Sequence, residues 1–242
     1  MKDNGYAYPG NELELFAQAR NWKSYMAALL KPYISGNVLE VGAGLATNTG
    51  YLMCPDVKSW TLLEPDQKMA GRLDEALKKS ALPPACQVIC ADTGQLPRVP
   101  AYDCILYIDV LEHILNDKEE LETASALLKP GGKLLVLAPA HPYLMSPFDI
   151  AIGHYRRYTI NALRELTPKD TRKLRFFYAD SAGLCASLSN KWMLRQSMPT
   201  EKQIRFWDRF LVPASKILDK VLFHGAGKSV IAILEKNQPA SD

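Results

Sequence analysis

Short apolar runs alternate with longer amphipathic stretches along this chain. Leu13, Leu15, Phe16, Trp22, Tyr25, Met26 and Leu29–Leu30 predict a helix over 11–33. A strand over 37–41 follows, then a helix over roughly 45–53. A strand at 59–64 leads into a helix over about 66–80, which Pro83-Pro84 ends because proline cannot continue a helix. Strands are predicted at 86–91 and 103–108, and a helix over 117–128 stops at Lys129-Pro130-Gly131-Gly132. Strand five covers 133–138. Residues 139–158 read as a loop rich in Pro, His and Tyr, and Thr159 caps a helix over about 160–166. Strand six (173–179), a helical stretch over 181–224 containing Trp192 and Trp207, and strand seven (228–235) complete the pattern. Alternating strands and helices imply an α/β protein with a doubly wound, largely parallel sheet.

Composition fits a globular chain. Of 242 residues, 48% are hydrophobic and 23% charged, and the longest apolar runs are strand-sized, too short to span a membrane. No apolar core follows Met1-Lys2-Asp3-Asn4, so the expectation is no signal peptide and a cytoplasmic location. The five cysteines (Cys54, Cys86, Cys90, Cys104, Cys185) lack metal-ligand spacing and read as buried free thiols. The net charge of +3 is unevenly spread. Residues 155–228 hold 15 Lys/Arg against 6 Asp/Glu, a net of +9, while residues 1–154 hold 13 against 18, a net of −5. A basic later segment suggests an anionic substrate, a phosphate-bearing carrier or an anionic surface there; the alternative is a solvated helical face. The overall balance and the lack of a recognition module argue against nucleic acid.

The chemistry concentrates in Val38-Leu39-Glu40-Val41-Gly42-Ala43-Gly44-Leu45-Ala46-Thr47. This is a strand, a glycine turn and a helix start, and Glu64 follows about 20 residues later, after Trp60-Thr61-Leu62-Leu63. The pair marks a nucleoside-binding crevice. Thr47 stands where a dinucleotide fingerprint needs its third glycine, and Glu40 would repel a pyrophosphate. An acidic strand end suits a cationic ligand instead.

At these residues the chain resembles the class I S-adenosylmethionine-dependent methyltransferases, whose ligand carries an amino group and a sulfonium. Specific motifs cover roughly 36–140; beyond that the likeness is one of topology. The resemblance implies a Rossmann-like seven-stranded sheet in the order 3-2-1-4-5-7-6 with strand 7 antiparallel. It also implies an N-terminal helical lid (1–35), a cofactor-binding domain (36–242) and a helical insertion or substrate cap (181–226). Glu40, Gly42, Ala43 and Gly44 would form the first cofactor-binding motif, and Glu64, followed by Pro65, would accept from the ribose hydroxyls. Asp92 would take the adenine amino group and Thr93 would offer its backbone N–H, unless Asp92 only caps a turn. Ile108 and Asp109 would lie beside the reacting methyl. In Leu111-Glu112-His113, His113 would sit one helical turn on from Asp109, near the site. Some quinone-pathway relatives link an acidic-x-x-Glu-His pattern to a divalent metal, which Asp109, Glu112 and His113 imitate; a hydrogen-bonded helix start is the preferred picture, and no metal is assigned. Tyr6 and Trp22 would cover the cofactor through cation–π attraction, with Tyr8 toward the substrate and Tyr25 in the core.

The substrate side falls to His141-Pro142-Tyr143 and Gly153-His154-Tyr155-Arg156-Arg157-Tyr158, a run that resembles bacterial methyltransferases of sugar, lipid and secondary-metabolite pathways. His141, His154 and His113 are candidate general bases. Arg156 and Arg157 would fork a carboxylate or phosphate, or else pair with helix acids. Tyr143, Tyr155 and Tyr158 would shape the pocket. Gly225-Ala226-Gly227-Lys228-Ser229 imitates the end of a phosphate loop, but Leu222 replaces the required glycine and the run precedes a strand, so it reads as a turn.

The expected activity is methyl transfer to a small, anionic or carrier-bound acceptor. One alternative, implied by related proteins, is a cyclase that consumes S-adenosylmethionine to give an azetidine amino acid and methylthioadenosine. Another is a binding module whose segment 191–228 docks on an anionic membrane or a carrier. The acceptor and oligomeric state are left open.

Overall fold

The computed structural model describes residues 12–193 and 200–239. Its elements, in chain order, are α1 (Glu12–Phe16), α2 (Arg20–Leu30), β1 (Gly36–Val41), α3 (Thr49–Leu52), β2 (Val57–Leu63), α4 (Gln67–Lys78) and β3 (Cys86–Ile89). Then come β4 (Tyr102–Ile108), α5 (Asp117–Leu127), β5 (Leu128–Pro139), α6 (Pro147–Ala151), α7 (Ile160–Glu165), β6 (Thr171–Ala179), α8 (Ser181–Met193), α9 (Glu201–Phe206), α10 (Val212–Val221) and β7 (Ser229–Lys236). The strands form one sheet in the order β3-β2-β1-β4-β5-β7-β6, with β7 antiparallel to both neighbours. This is the order, and the antiparallel seventh strand, that the resemblance implies.

Each central strand is apolar on both faces, so the sheet must be covered twice. Val38 and Leu106 pack on one face with Met26 and Leu30 of α2, while Leu39 and Ile105 pack on the other with Leu121 and Ala124 of α5. That switch at successive residues is the period-two alternation of a strand. β1 and β4 are parallel neighbours whose connections leave in opposite directions, so their carboxyl ends open a crevice at the switch point.

Several boundaries differ from expectation. The helix predicted over 11–33 breaks at Ala17–Ala19 and ends in a 3₁₀ turn, Lys31–Tyr33. Of 45–53, only Thr49–Leu52 is helical, because Gly44 and Ala46 take positive φ and lengthen the turn. β5 starts earlier than predicted: Leu128 already pairs with Tyr102, and the Pro-Gly-Gly stretch forms an irregularity before Lys133. The 139–158 loop contains a 3₁₀ turn, Pro142–Leu144, and α6. A π turn, Trp207–Leu211, joins α9 to α10. The buried-thiol expectation holds for Cys104 alone; Cys90 and Cys185 are exposed and Cys54 and Cys86 half-buried.

Gly225–Gly227 turn into β7 as expected. Gly227 is needed there, since a Cβ would lie 2.1 Å from the Ala179 carbonyl oxygen.

Candidate active site

A cavity of about 1850 Å³ lies over the carboxyl ends of β1, β2 and β4. Drug-sized ligands occupy roughly 300–1,000 Å³, so it has room for a nucleoside cofactor and a second molecule. Apolar wall comes from Leu144, Met145, Phe148 and Ile152, and a roof from Leu13, Phe16 and Trp22 of the N-terminal helices.

The glycine turn is tied to the second acid directly. Gly42 and Gly44 take φ of +63° and +56°. The Gly44 N–H donates to Glu64 Oε2 at 2.8 Å, and the Asp66 N–H donates to Oε1 at 3.0 Å. Two backbone donors thus aim the Glu64 carboxylate at the cavity. Burial raises its pKa against the pull of those two bonds. Asp66 in turn caps α4, accepting from the Lys68 and Met69 amides.

Glu40, also on the wall, is pinned by one oxygen. Oε2 accepts from Thr49 Oγ1 at 2.7 Å and Trp60 Nε1 at 2.8 Å, and among the described residues no hydrogen bond falls on Oε1. Burial lifts its pKa from the ordinary 4.5 to about 7, with the two donors opposing. Gly42, Ala43, Gly44, Pro65, Asp92, Thr93, Ile108, Asp109 and Trp22 line the same cavity. Asp92 also does what the alternative reading expected: it caps the turn Thr93–Gln95, with Oδ1 accepting from the Gln95 N–H. The Thr93 side chain is committed to Glu120, which also accepts from Tyr107 OH at 2.6 Å. Trp22 stacks edge-on to Tyr25 and lies 5.7 Å from Trp207. Tyr25 is core, its OH donating to Asp219 at 2.7 Å. Tyr6 and Tyr8 lie outside the described residues.

On the acceptor side the structure is selective. His154 lines the cavity; its Nδ1 meets Asp149 Oδ1 at 3.0 Å and its Nε2 lies 3.8 Å from Glu112 Oε1. Burial pushes the Asp149 carboxyl up, but bonds from His154, Arg157 and Ser146 prevail and hold it well below the usual carboxylate range. An ionised Asp149 fixes the proton on Nδ1 and leaves Nε2 as the basic atom. The His113 ring meets His154 edge-on at 4.6 Å, and burial drops its pKa to about 4. Asp109, with φ +53°, lines the cavity and is exposed to it. Desolvation by the surrounding cavity wall raises its carboxyl to about 6, opposed by His154, Lys228 and Arg157.

Four expected site residues do not reach the cavity wall. His141 takes φ +65° and its N–H bonds back to the Tyr158 carbonyl, turning the ring away. It is stacked between Tyr143 and Tyr178 at 5.0 and 4.8 Å. Tyr143 follows it outward. Tyr158 is buried, its OH donating to Asp117 Oδ2 at 2.9 Å. Arg156 pairs with the same Asp117 at 2.7 Å. Tyr155 and Arg157 do line the cavity, but the Arg157 fork already grips Asp149 through Nε and Nη2. The arginines therefore pair with acids, as their alternative reading had it. Sequence reasoning missed Asp149, Glu120, Asp180 and Lys228, all on the cavity wall. Lys228 Nζ lies 5.2 Å over the Trp207 ring, and burial lowers its pKa.

A metal donor set exists, though not the expected one. Ligand atoms of Glu112, His113 and His154 lie within 4.8 Å of one another, and Asp109 stands outside the group. The Glu112 carboxylate is fully buried, with no hydrogen bond on either oxygen among the described residues.

A family model described as methyltransferase domain matches residues 13–185, well over half of the chain. The chain belongs to the methyltransferase family. Among curated relatives, the ubiquinone/menaquinone biosynthesis C-methyltransferase of Klebsiella pneumoniae is 27% identical over 177 residues, covering 69% of this chain and 67% of that protein. An uncharacterized 37.1 kDa transposon protein of Streptomyces fradiae is 28% identical over 156 residues, and the match spans only 43% of its length. Of solved structures, the plantazolicin methyltransferase in complex with S-adenosylhomocysteine superposes with a TM-score of 0.54 at 15% identity, over 93% of this chain and 84% of that one. The N-methyltransferase NodS of Bradyrhizobium japonicum gives 0.54 at 13%, over 94% and 99%. At such identities these two structures show the fold.

This methyltransferase uses S-adenosylmethionine, and its residues fit that group. The donor set has carboxylates for an amino group and a diol, and aromatic faces for a sulfonium. Among the described residues no helix is long and apolar enough to cross a membrane.

Proposed function

We propose that the acceptor is a small amphiphile, with an apolar body and an oxygen or nitrogen nucleophile, deprotonated by His154. S-adenosylmethionine supplies an already activated methyl group. The protein's part is then to hold both molecules, exclude water and remove a proton. Glu64 receives the ribose hydroxyls, Glu40 Oε1 faces the amino group, and Asp92 and the Thr93 backbone border the adenine. The acceptor's apolar body rests on Leu144, Met145, Phe148 and Ile152, and Lys228 faces its polar end.

One observation carries the reading: the 3.0 Å contact that anchors His154 to Asp149 on the cavity wall, with Nε2 left to accept. The arginine fork for an anion is already filled by Asp149, which argues against an anionic acceptor gripped there. We assign residues 1–35 the role of lid and 181–226 that of cap, supported by Phe16, Trp22, Gly183 and Trp207 on the cavity wall.

The test is mass spectrometry after incubation with deuteromethyl-labelled S-adenosylmethionine and a small-molecule extract. The reading expects S-adenosylhomocysteine together with a labelled, apolar acceptor. Methylthioadenosine formed without extract would overturn it in favour of intramolecular cyclisation.

A further inference from the structure

The helices after residue 200 are inside out. Their buried face carries Ile204, Asp208, Val212, Ser215 and Asp219, spaced four, four, three and four apart. Their exposed face carries Phe206, Phe210, Ile217, Val221 and Phe223, with Ile217 68%, Val221 66% and Phe223 91% exposed. A surface helix of a globular protein normally shows the reverse.

The polar groups inside explain why the segment cannot roll over. Asp219 accepts from Tyr25 OH and from the Asp180 and Ser181 amides at 2.7–2.9 Å. Ser215 Oγ donates to Asp180 Oδ1, and Asp208 accepts from the Trp22 and Asn21 amides. Rotating the apolar stripe inward would break these bonds and leave the Tyr25 hydroxyl, the Asp180 carboxylate and the Asp180 and Ser181 amides buried without partners. The stripe is therefore fixed outward. It is also continuous across the π turn: the Phe206 and Phe210 rings lie 5.3 Å apart.

Charge selects the occupant. The acids Asp208 and Asp219 are consumed inside, whereas Arg205, Arg209, Lys216 and Lys220 flank the stripe. Glu201, paired with Arg205, is the acid left near the surface of α9. An apolar stripe with a cationic border is the pattern of a helix lying in the interface of an anionic bilayer. An acidic carrier protein would need the cations but leaves this much apolar surface uncovered.

Phe206 belongs to both the stripe and the cavity wall, and Lys202 and Trp207 line the cavity beside it. We propose that the α9–α10 face docks on an anionic lipid surface and brings the cavity mouth to the bilayer. An acceptor dissolved in that membrane would then enter without crossing water. The docking itself does not depend on the methyl-transfer reading; the route for the acceptor does.

Vesicle flotation tests it, with phosphatidylcholine alone and with phosphatidylcholine and phosphatidylglycerol in equal parts. The protein should float with the mixed vesicles and stay behind with the neutral ones. The triple variant Phe210→Ser, Ile217→Ser, Phe223→Ser should lose about a hundredfold in partitioning, and Lys216→Glu with Lys220→Glu about tenfold. S-adenosylhomocysteine binding, measured by calorimetry, should stay unchanged in both, which shows that they are folded. Absence of wild-type protein from the anionic vesicles would overturn the proposal. So would unchanged flotation of the triple variant, or a dimer that this variant dissociates while no form of the protein binds vesicles. Failure of docking leaves cofactor binding intact, so the two readings fall separately.

Discussion

His154 and Asp149 are only five residues apart, yet a bend at Gly153 and the cap of α6 are needed to face them. Removing the imidazole should slow proton removal without touching the cofactor. His154→Ala is expected to lower kcat by about 10²–10⁴-fold, the span of general-base catalysis, with the dissociation constant for S-adenosylhomocysteine unchanged. Asp149→Asn should show a smaller loss, because the ring keeps its place but loses its fixed tautomer. Equal weakening of cofactor binding would assign these residues to packing. The shared wall position of Glu40, Gly42, Gly44 and Glu64 was legible in the sequence because they belong to one strand–turn–helix–strand unit, whose local grammar sets their direction. His141 was not, since its aim depends on a left-handed backbone and two tyrosine stacks. Lys228 was not, since only the antiparallel return of β7 carries it to the cavity.

At the level of elements, the turn after β1 is the most constrained. Gly42 has φ +63°, and a Cβ there would lie 2.7 Å from Val110 Cγ2 and 2.8 Å from Cγ1. Gly42→Ala combines a left-handed penalty with a clash, so urea unfolding should show a loss of about 1–3 kcal/mol. Adding Val110→Ala should recover part of it by clearing the clash, and no recovery would place the whole cost in the backbone. Strand positions were readable as short apolar runs, and the helix over 117–128 from its Pro-Gly-Gly stop. The short α3, the early start of β5 and the π turn were not, because tertiary pairing and polar anchors set them. The Gly-His-Tyr-Arg-Arg-Tyr run shows the same limit. Its chemistry was visible, but Tyr158 and Arg156 turn out to hold the start of α5 through Asp117.

Across the whole molecule, sheet order came from family likeness, not from periodicity, and the structure reproduces it strand for strand. The buried acid at the switch point then couples the fold to pH. Glu40 titrates near 7 in the folded protein against 4.5 ordinarily, so the folded state holds a proton that the unfolded chain has lost. Its contribution is fully present below pH 4.5, falls as pH rises through that window and is gone above about 7. Asp149, held low, acts in the opposite sense and only at the acid end. Glu40→Gln keeps an oxygen for Thr49 and Trp60 and should flatten the decline in urea midpoint between pH 5 and 7, by about 3 kcal/mol at most. An unaltered slope would mean that Glu40 stays ionised throughout.

The central claim is that the cavity over β1, β2 and β4 holds an adenosyl ligand through the carboxylate that Gly44 and Asp66 aim. Calorimetric titration with S-adenosylhomocysteine tests it most directly. The account predicts saturable binding to the native chain and affinity about 10–100-fold weaker in Glu64→Gln, where charge-assisted bonds to the ribose are lost. No heat with the native chain, or the same affinity in the variant, would contradict it.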